Sequence, residues 1–385
     1  MKNLKVLRVF TVPIAMIGYK KHLEEQSRTG IDLHIGTSMD DKFDLLKNDN
    51  FYKTYRLNIA REISPLSDIR SCFNTYLLIN KIKPNIVHSN TPKAGIVSSI
   101  SSFLSGVPVR IHTFTGQRWI TLKGLKRTIL KFIDKIIISI NTHVIADSPS
   151  QAAFLNKEFR TNKVVCLGAG SFGGICFDDK KEIKIPHIAL NTRQKLGINE
   201  TDFVMLFLGR VVKDKGVEEL IDAFVSLKTK YKGIKLLVVG PVEELGNKIS
   251  DHHLKILRHD PDIISTGYTS EPHLYYPICN IFILPSYREG FGTVILEAAS
   301  FRKASIGTRI YGIQDAILDE VTGLLCEAGS STDLSKKIER CLIDKNLVEQ
   351  MGNKAFERAL ENFDYKVVTK NLLDFYRNCL NEKSL

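Results

Sequence analysis

The sequence predicts an α/β protein made of two doubly wound, Rossmann-like halves. Three observations carry that reading. Short β-branched runs alternate with amphipathic stretches, the pattern restarts near residue 200, and 385 residues exceed what one ordinary core accommodates.

In the first half the runs are "LKVLRVFTV" (4–12), "DLHIGTS" (32–38), "NIVHSNT" (85–91), "VPVRIHTFT" (107–115) and "THVIADS" (142–148). Near-continuous apolar runs of this length suit strands buried on both faces of a parallel sheet. Between them, "PLSDIRSCFNTYLLINKIK" (65–83) opens with proline and is halted by Pro84, as a helix should be. "PKAGIVSSISSFLSG" (92–106) reads as a small-residue helix ending at Gly106. Strand–helix–strand order implies right-handed crossovers. The second series is "FVMLFLGRV" (203–211), "IKLLVVGP" (234–241), "IISTGYT" (263–269), "NIFILPS" (280–286) and "KASIGTR" (303–309). The charged, aperiodic "FDDKKEIKIPHIALNTRQKLG" (177–197) is the expected connection. Domains over 1–185 and 186–362 follow, with the tail 363–385 as one more helix that could pack on either half, back on the first included. Two such halves would face each other across a cleft between the carboxyl ends of two sheets, where ligands of open α/β sheets bind.

Hydrophobic content of 43% and charged content of 25% are those of a globular protein. The N-terminal "MKNLKVLRVFTVPIAM" is broken by Lys5 and Arg8, which fits a first strand better than a signal peptide. No apolar window approaches the roughly 18–20 residues that span a bilayer, so a soluble or peripheral cytoplasmic protein is expected. Cys72, Cys166, Cys176, Cys279, Cys326, Cys341 and Cys379 show no CxxC spacing and read as reduced thiols. A net charge of +12 calls for an anionic partner. Nucleic acid, an anionic membrane surface and a phosphorylated substrate all qualify.

Two motifs carry chemistry. "GRVVKDKG" (209–216) directly follows a buried strand, so Arg210 and Lys215 could converge at its carboxyl end, where a guanidinium fork and an ammonium suit a diphosphate. "REGFGTVILEA" (288–298) places Gly290 and Gly292 at a helix start, with backbone N–H groups open to an anion. Glu289 stands at the rim of that turn, and Glu297 lies about two helical turns later. Each glutamate alone suits the early turns of a helix; the pair, the glycines and the upstream cations together favour a polyol-phosphate ligand.

The constellation Gly-Arg-x4-Lys-Gly with Glu-x7-Glu resembles the retaining GT-B glycosyltransferases of family 4. "HSNTPKAG" (88–95), "RIHTFTGQRW" (110–119), "THVIADSPSQ" (142–151) and "LGAGSFGGI" (167–175) are similar to segments of the bacterial polysaccharide and O-antigen transferases within it. The resemblance covers nearly the whole chain. It implies transfer of a hexose or N-acetylhexosamine from a nucleotide sugar, most readily UDP-linked with GDP-mannose behind it, to a polyprenyl-diphosphate-linked saccharide. The domain 1–185 would then bind acceptor and 186–362 the nucleotide sugar.

Residue by residue, the resemblance assigns Arg210 and Lys215 to the donor diphosphate, Glu297 to the nucleotide ribose and Glu289 to the donor sugar. Gly209, Gly290, Phe291, Gly292 and Thr293 would complete donor binding. His112 matches an acceptor-side histidine and joins Glu289, Arg210 and Lys215 as the expected catalytic set. His88, Thr91, Lys93, Thr115 and Gly116 are the expected acceptor contacts. Two departures stand out. "TVPIAMIGYKKH" (11–22) replaces the double-glycine loop of many relatives, and Ala169 occupies "LGAGS" where a polar residue is common.

The resemblance implies retention without a catalytic metal or further cofactor, the cations and a helix dipole offsetting the leaving diphosphate. The paired aspartates of "MDDKFD" (39–44) and "FDDK" (177–180) lack the strand-end context of a metal motif. "QRWITLKGLKRTILKFIDK" (117–135) sets apolar residues at helical spacing beside the stripe Lys123, Arg127, Lys131 and Lys135. With Trp119 and Lys126, this segment is the expected contact with an anionic membrane surface, on the inner face of the cytoplasmic membrane. Rival classes fare worse. A dinucleotide enzyme should show GxGxxG after the first strand, and "TVPIAMIG" does not. A nucleic-acid-binding protein should show an RNA or DNA motif, and none is recognisable. A relative acting on a soluble acceptor, as sucrose or glycogen synthases do, would not depend on a lipid tail.

Overall fold

The computed structural model describes residues 4–13, 16, 19–38, 50–60, 64–177, 189–243 and 246–382. The aspartates of 39–44 and Asp178 and Asp179 lie outside the described residues, as does most of the expected connection. The chain forms two compact units: Met1–Cys176 together with Phe363–Leu385, and Phe177–Asn362.

Among the described residues the first unit holds seven strands: β1 (Lys5–Val9), β2 (Asp32–Thr37), β3 (Lys53–Arg56), β4 (Ile86–Asn90), β5 (Val109–Phe114), β6 (His143–Ala146) and β7 (Val164–Cys166). Their order is β3-β2-β1-β4-β5-β6-β7, and every neighbouring pair is parallel. The helices that connect them include α1 (Lys20–Arg28), α2 (Pro65–Ile82), α3 (Pro92–Leu104), α4 (Gly124–Ile140) and α5 (Pro149–Phe159). The second unit holds β8 (Phe203–Leu208), β9 (Ile234–Val239), β10 (Ile263–Gly267), β11 (Ile281–Leu284), β12 (Ala304–Thr308) and β13 (Gly323–Cys326). These run β10-β9-β8-β11-β12-β13, again all parallel. Its helices are α6 (Val217–Lys228), α7 (Asp251–His259), α8 (Thr293–Ser300), α9 (Ile313–Ala316), α10 (Ser331–Ile343) and α11 (Lys345–Phe363), and α12 (Tyr365–Asn381) closes the chain.

Both sheets are therefore doubly wound, with the strand order reversing between β1 and β4 and between β8 and β11. Such reversal points open a crevice at the carboxyl ends of the two flanking strands. The central strands explain themselves: all of "FVMLF" in β8 is buried, because helices cover both faces of a parallel sheet. Three strands had no sequence signal. β3 is "KTYR", a half-exposed edge strand with charged ends; β7 has three residues; β13 is the four-residue "GLLC". Each is an edge strand, buried less completely or too short to build a pattern.

The first unit packs two layers of helix on its sheet. One core joins Leu7 and Val9 of β1 to Ile79 and Ile82 of α2 and to Ala94 and Val97 of α3. The opposite core joins Val6 and Leu23 to Leu372, Leu373 and Tyr376 of α12. The C-terminal helix is thus part of the first unit. Two polar contacts fix its register: His22 Nδ1 with Thr369 Oγ1 at 2.7 Å, and His88 Nδ1 with Tyr376 OH at 2.7 Å.

Candidate active site

The second unit gathers the two glycine-rich motifs at one reversal point. β8 ends at Leu208 and releases Gly209 and Arg210; the chain then makes a 3-10 turn over Lys213–Lys215 before α6. Gly216 ends that turn with φ +68, and a Cβ there would collide with the carbonyl of Pro285. Only glycine lets the turn lie this tightly against the end of β11. Further bonds lace the two loops together. Tyr287 N–H donates to Asp214 O at 2.9 Å, and Arg288 Nε donates to Asp214 Oδ2 at 2.8 Å. Thr308 Oγ1 donates to Ser286 O at 2.5 Å, and Tyr287 OH donates to Glu219. Burial, then the Glu219 carboxylate, pushes the Tyr287 phenol well up, so it stays a donor.

This lacing brings Lys215 and Glu289 into contact. Lys215 Nζ pairs with Glu289 Oε1, with the two side chains 23% and 15% exposed. Ser286 Oγ, fully buried at the end of β11, donates to the same oxygen at 3.0 Å. Directly beyond, Gly290, Phe291 and Gly292 are buried and Thr293 is exposed. Gly292 is the N-cap of α8 in a left-handed conformation, and no side chain caps that helix. Its first-turn N–H groups and its dipole therefore present positive partial charge beside the Lys215 ammonium.

Glu297 sits on α8 and is held by Tyr276, whose OH donates to Glu297 Oε2 at 2.6 Å. Tyr276 is itself buried and stacks on Phe301 at 5.5 Å, so the carboxylate has a rigid support. Arg210 does not join the Lys215–Glu289 pair. Its Nη1 contacts Glu243 Oε1 at 2.5 Å, and its side chain is 54% exposed. The sequence motifs do not single out Asp214, Ser286, Tyr287, Arg288 or Tyr276 as parts of the site. Asp214 and Arg288 adjoin the motif residues and could have been found there; Tyr276 carries no local signal.

The first unit treats its expected residues differently. Thr91 and Lys93, at the carboxyl end of β4, are half-buried, as are Thr115 and Gly116 after β5. Thr91 has φ +76, an outlier for a β-branched residue, and is held there by Thr11: the two hydroxyls lie 2.6 Å apart, and Thr11 N–H donates to Thr91 Oγ1 at 3.2 Å. Lys93 pairs with Asp68.

The two histidines lie within the sheet, on β4 and β5. His88 is fully buried between Tyr376 OH and Thr113 Oγ1, each at 2.7 Å, and burial holds its ring neutral, with Arg8 adding to the effect. His112 is also fully buried; its Nδ1 lies 2.9 Å from Ser89 Oγ, and burial drops its pKa to about 3. The His112 ring packs edge-on to Phe114 at 4.5 Å and fills the space where a Cβ on Gly95 would sit. His88 has a partner at each ring nitrogen, whereas the buried His112 Nε2 has none among the described residues.

Trp119 is a further correction. It is 2% exposed, in a 3-10 turn over Arg118–Ile120 that precedes α4, and its Nε1 donates to Asp134 Oδ2 at 2.7 Å. Its ring stacks on Phe154 at 5.7 Å, so it is a core residue and cannot touch a membrane. Gly124, with φ +62, breaks the single helix that the apolar spacing had suggested. Lys123, Lys126 and Arg127 are exposed, whereas Lys131 is half-buried and pairs with Glu158.

Comparison with known proteins follows the two-unit division. A profile described as "Glycosyl transferases group 1" matches residues 189–358, and one described as "Glycosyl transferase 4-like" matches residues 10–148. The chain is 32% identical over 384 residues, covering 99% of each chain, to the capsular polysaccharide biosynthesis glycosyltransferase CapM of Staphylococcus aureus. It is 23% identical over 333 residues to the UDP-Gal:alpha-D-GlcNAc-diphosphoundecaprenol alpha-1,3-galactosyltransferase of Escherichia coli, covering 83% of this chain and 81% of that one. Among solved structures, Anabaena Alr3699/HepE in complex with UDP-glucose superposes with a TM-score of 0.79 at 19% identity, covering 98% of this chain and all of that one. The fold is GT-B, and the chain belongs to the family-4 glycosyltransferases of the bacterial polysaccharide type.

Proposed function

We propose that this glycosyltransferase moves a hexose or N-acetylhexosamine from a UDP-sugar to a polyprenyl-diphosphate-linked saccharide, with retention at the anomeric carbon, in the synthesis of a bacterial surface polysaccharide. The observation that carries the reading is the Lys215–Glu289 pair at the β8/β11 reversal point, beside the uncapped start of α8. The E. coli relative, whose name specifies UDP-Gal and a diphosphoundecaprenol acceptor, supports the substrate classes.

In this reading the donor diphosphate displaces Glu289 as the partner of Lys215 and takes up the N–H groups at the start of α8. Arg210 swings from Glu243 to the same phosphates. Glu289, released from the ammonium but still held by Ser286, accepts from hydroxyls of the sugar, and Glu297 accepts from the ribose. In transfer the C1–O bond to the diphosphate breaks while the acceptor oxygen bonds to C1 from the same face. The acceptor proton passes to the departing phosphate oxygen. Glu289 is a poor covalent nucleophile in this reading, because the Ser286 hydroxyl still holds its Oε1 by a hydrogen bond and lowers its reactivity; a trapped glycosyl-enzyme at Glu289 would reverse this assignment. Thr91, Lys93, Thr115 and Gly116 face the acceptor, and the protein works attached peripherally to the inner face of the cytoplasmic membrane.

Titration calorimetry with UDP, GDP and dTDP in EDTA tests the donor assignment. UDP is expected to bind tightest, and Lys215→Ala to weaken it by about 10–100-fold, the loss of one charge-assisted contact. Failure to bind any of the three would leave a shared architecture without this activity.

A further inference from the structure

The outward faces of two helices in the first unit form an apolar surface. On α2, Leu66, Ile69, Phe73 and Leu77 are 84%, 68%, 59% and 50% exposed, and their spacing aligns them in one stripe. On α4, Leu125, Ile129 and Phe132 are 74%, 43% and 60% exposed at the same helical interval. α3 packs between α2 and α4 on the same side of the sheet. Both helices return from the carboxyl ends of parallel strands, so their first turns lie at the edge that carries Thr91 and Lys93. Apolar stripes of this extent mark interaction sites.

Charge identifies the occupant. α2 carries one carboxylate, Asp68, and it is taken up by Lys93. α4 also carries one, Asp134, and it is buried under Trp119. The charges these helices expose beside the stripes are cationic: Arg70 and Lys81 on α2, and Lys126, Arg127 and Lys135 on α4, with Asn80, Thr128 and Ser139 as neutral polar neighbours. A second copy of the chain docking by this same face would set cation against cation. An anionic lipid surface accepts both features, the side chains of the stripes entering the acyl boundary and the cations meeting phosphates.

We propose that α2 and α4 together are the bilayer-docking face of the protein, holding the Thr91–Lys93 edge at the lipid. The membrane contact expected from the sequence lies on the Trp119 segment; burial removes Trp119 from it and the exposed stripe adds α2. This inference rests on the lipid-linked acceptor proposed above.

Flotation of the full-length protein with phosphatidylglycerol/phosphatidylcholine vesicles, against vesicles of phosphatidylcholine alone, tests it. Binding is expected only with the anionic lipid. The double variants I69E/F73E and L125E/F132E are each expected to lower partition about tenfold or more, since two buried apolar groups are lost. Ile343→Glu, a substitution of a 70% exposed side chain in the second unit, should leave binding unchanged. Unaltered binding of the α2 variant overturns the proposal. So does absence of binding to anionic vesicles, or a wild-type dimer in sedimentation that the α2 variant splits. Turnover on a water-soluble short-chain acceptor, measured on the same samples, reports separately on the transferase reading: lost vesicle binding with turnover intact removes the docking face and leaves that reading standing.

Discussion

Glu289→Gln is expected to bind UDP more tightly than the wild type while losing transfer. In the unliganded protein Glu289 occupies the ammonium of Lys215, which a diphosphate must claim. At an effective dielectric near 20 and about 4 Å, a unit pair attracts by about 4 kcal/mol. Desolvation and side-chain ordering offset most of that for groups this buried, leaving a net of about 1–2 kcal/mol. Glutamine removes the competing charge yet keeps an oxygen for Ser286, so the loop geometry is preserved. The ion-pair contribution then passes to the ligand, and UDP affinity should rise about 5–30-fold. Transfer should fall about 100-fold or more, because the sugar loses a charged acceptor in the transition state. Calorimetry with UDP in EDTA, beside turnover and a melting curve, measures the split. The double variant with Lys215→Ala should reveal a coupling of about 1–2 kcal/mol. A folded Glu289→Gln protein whose UDP affinity is unchanged or weaker would refute the reasoning, since Glu289 would then not compete with a diphosphate for Lys215.

Three further outcomes are expected. Burial, against the opposing Trp119 hydrogen bond, pushes the Asp134 carboxyl up from the ordinary 3.8 to about 7 in the folded protein. Between those values the folded state keeps a proton that the unfolded chain has released, so stability falls as pH rises from about 4 to about 7, by about 4 kcal/mol at most. Asp134→Asn should flatten that dependence and exceed the wild type at pH 8 in urea unfolding; a wild-type curve already flat between pH 4 and pH 7 would contradict the assignment. Gly216→Ala forces φ +68 on a residue with a Cβ and drives it into Pro285, so a loss of about 2–4 kcal/mol and weakened UDP binding should follow together. Tyr276→Phe removes the hydrogen bond to Glu297 and should cost about 1–3 kcal/mol, with KM for the donor rising more than kcat falls, as expected of a support for a ribose contact.

What was legible in the sequence was what periodicity and glycine encode. β8 and β11 are unbroken apolar runs, and the glycines after them can only be turns, so the reversal-point site followed from "FVMLFLGRV" and "LPSYREGFG". The Lys215–Glu289 meeting was implied less directly, because it depends on the Asp214–Arg288 and Asp214–Tyr287 bonds between loops 74 and 73 residues apart. Edge strands such as "KTYR" escaped because their stability comes from backbone pairing to β2 and not from side-chain burial. His88, His112 and Trp119 show the limit most clearly. Each has a polar atom that suits a ligand as well as a neighbour, and only the fold reveals Tyr376 and Thr113 at both nitrogens of His88, Ser89 at Nδ1 of His112 alone, and Asp134 at the Trp119 indole. The α12 contact with His88 spans 288 residues, which no local pattern can convey.

The most direct test of the account is transfer measured with a panel of UDP-, GDP- and dTDP-sugars, in EDTA, onto a polyprenyl-diphosphate-linked saccharide, with the anomeric configuration of the product read by NMR. Turnover from one UDP-sugar with retention, lost in Lys215→Ala and Glu297→Ala, is the expected result. Turnover that requires a divalent ion, inverts the anomeric carbon or survives both substitutions would contradict it.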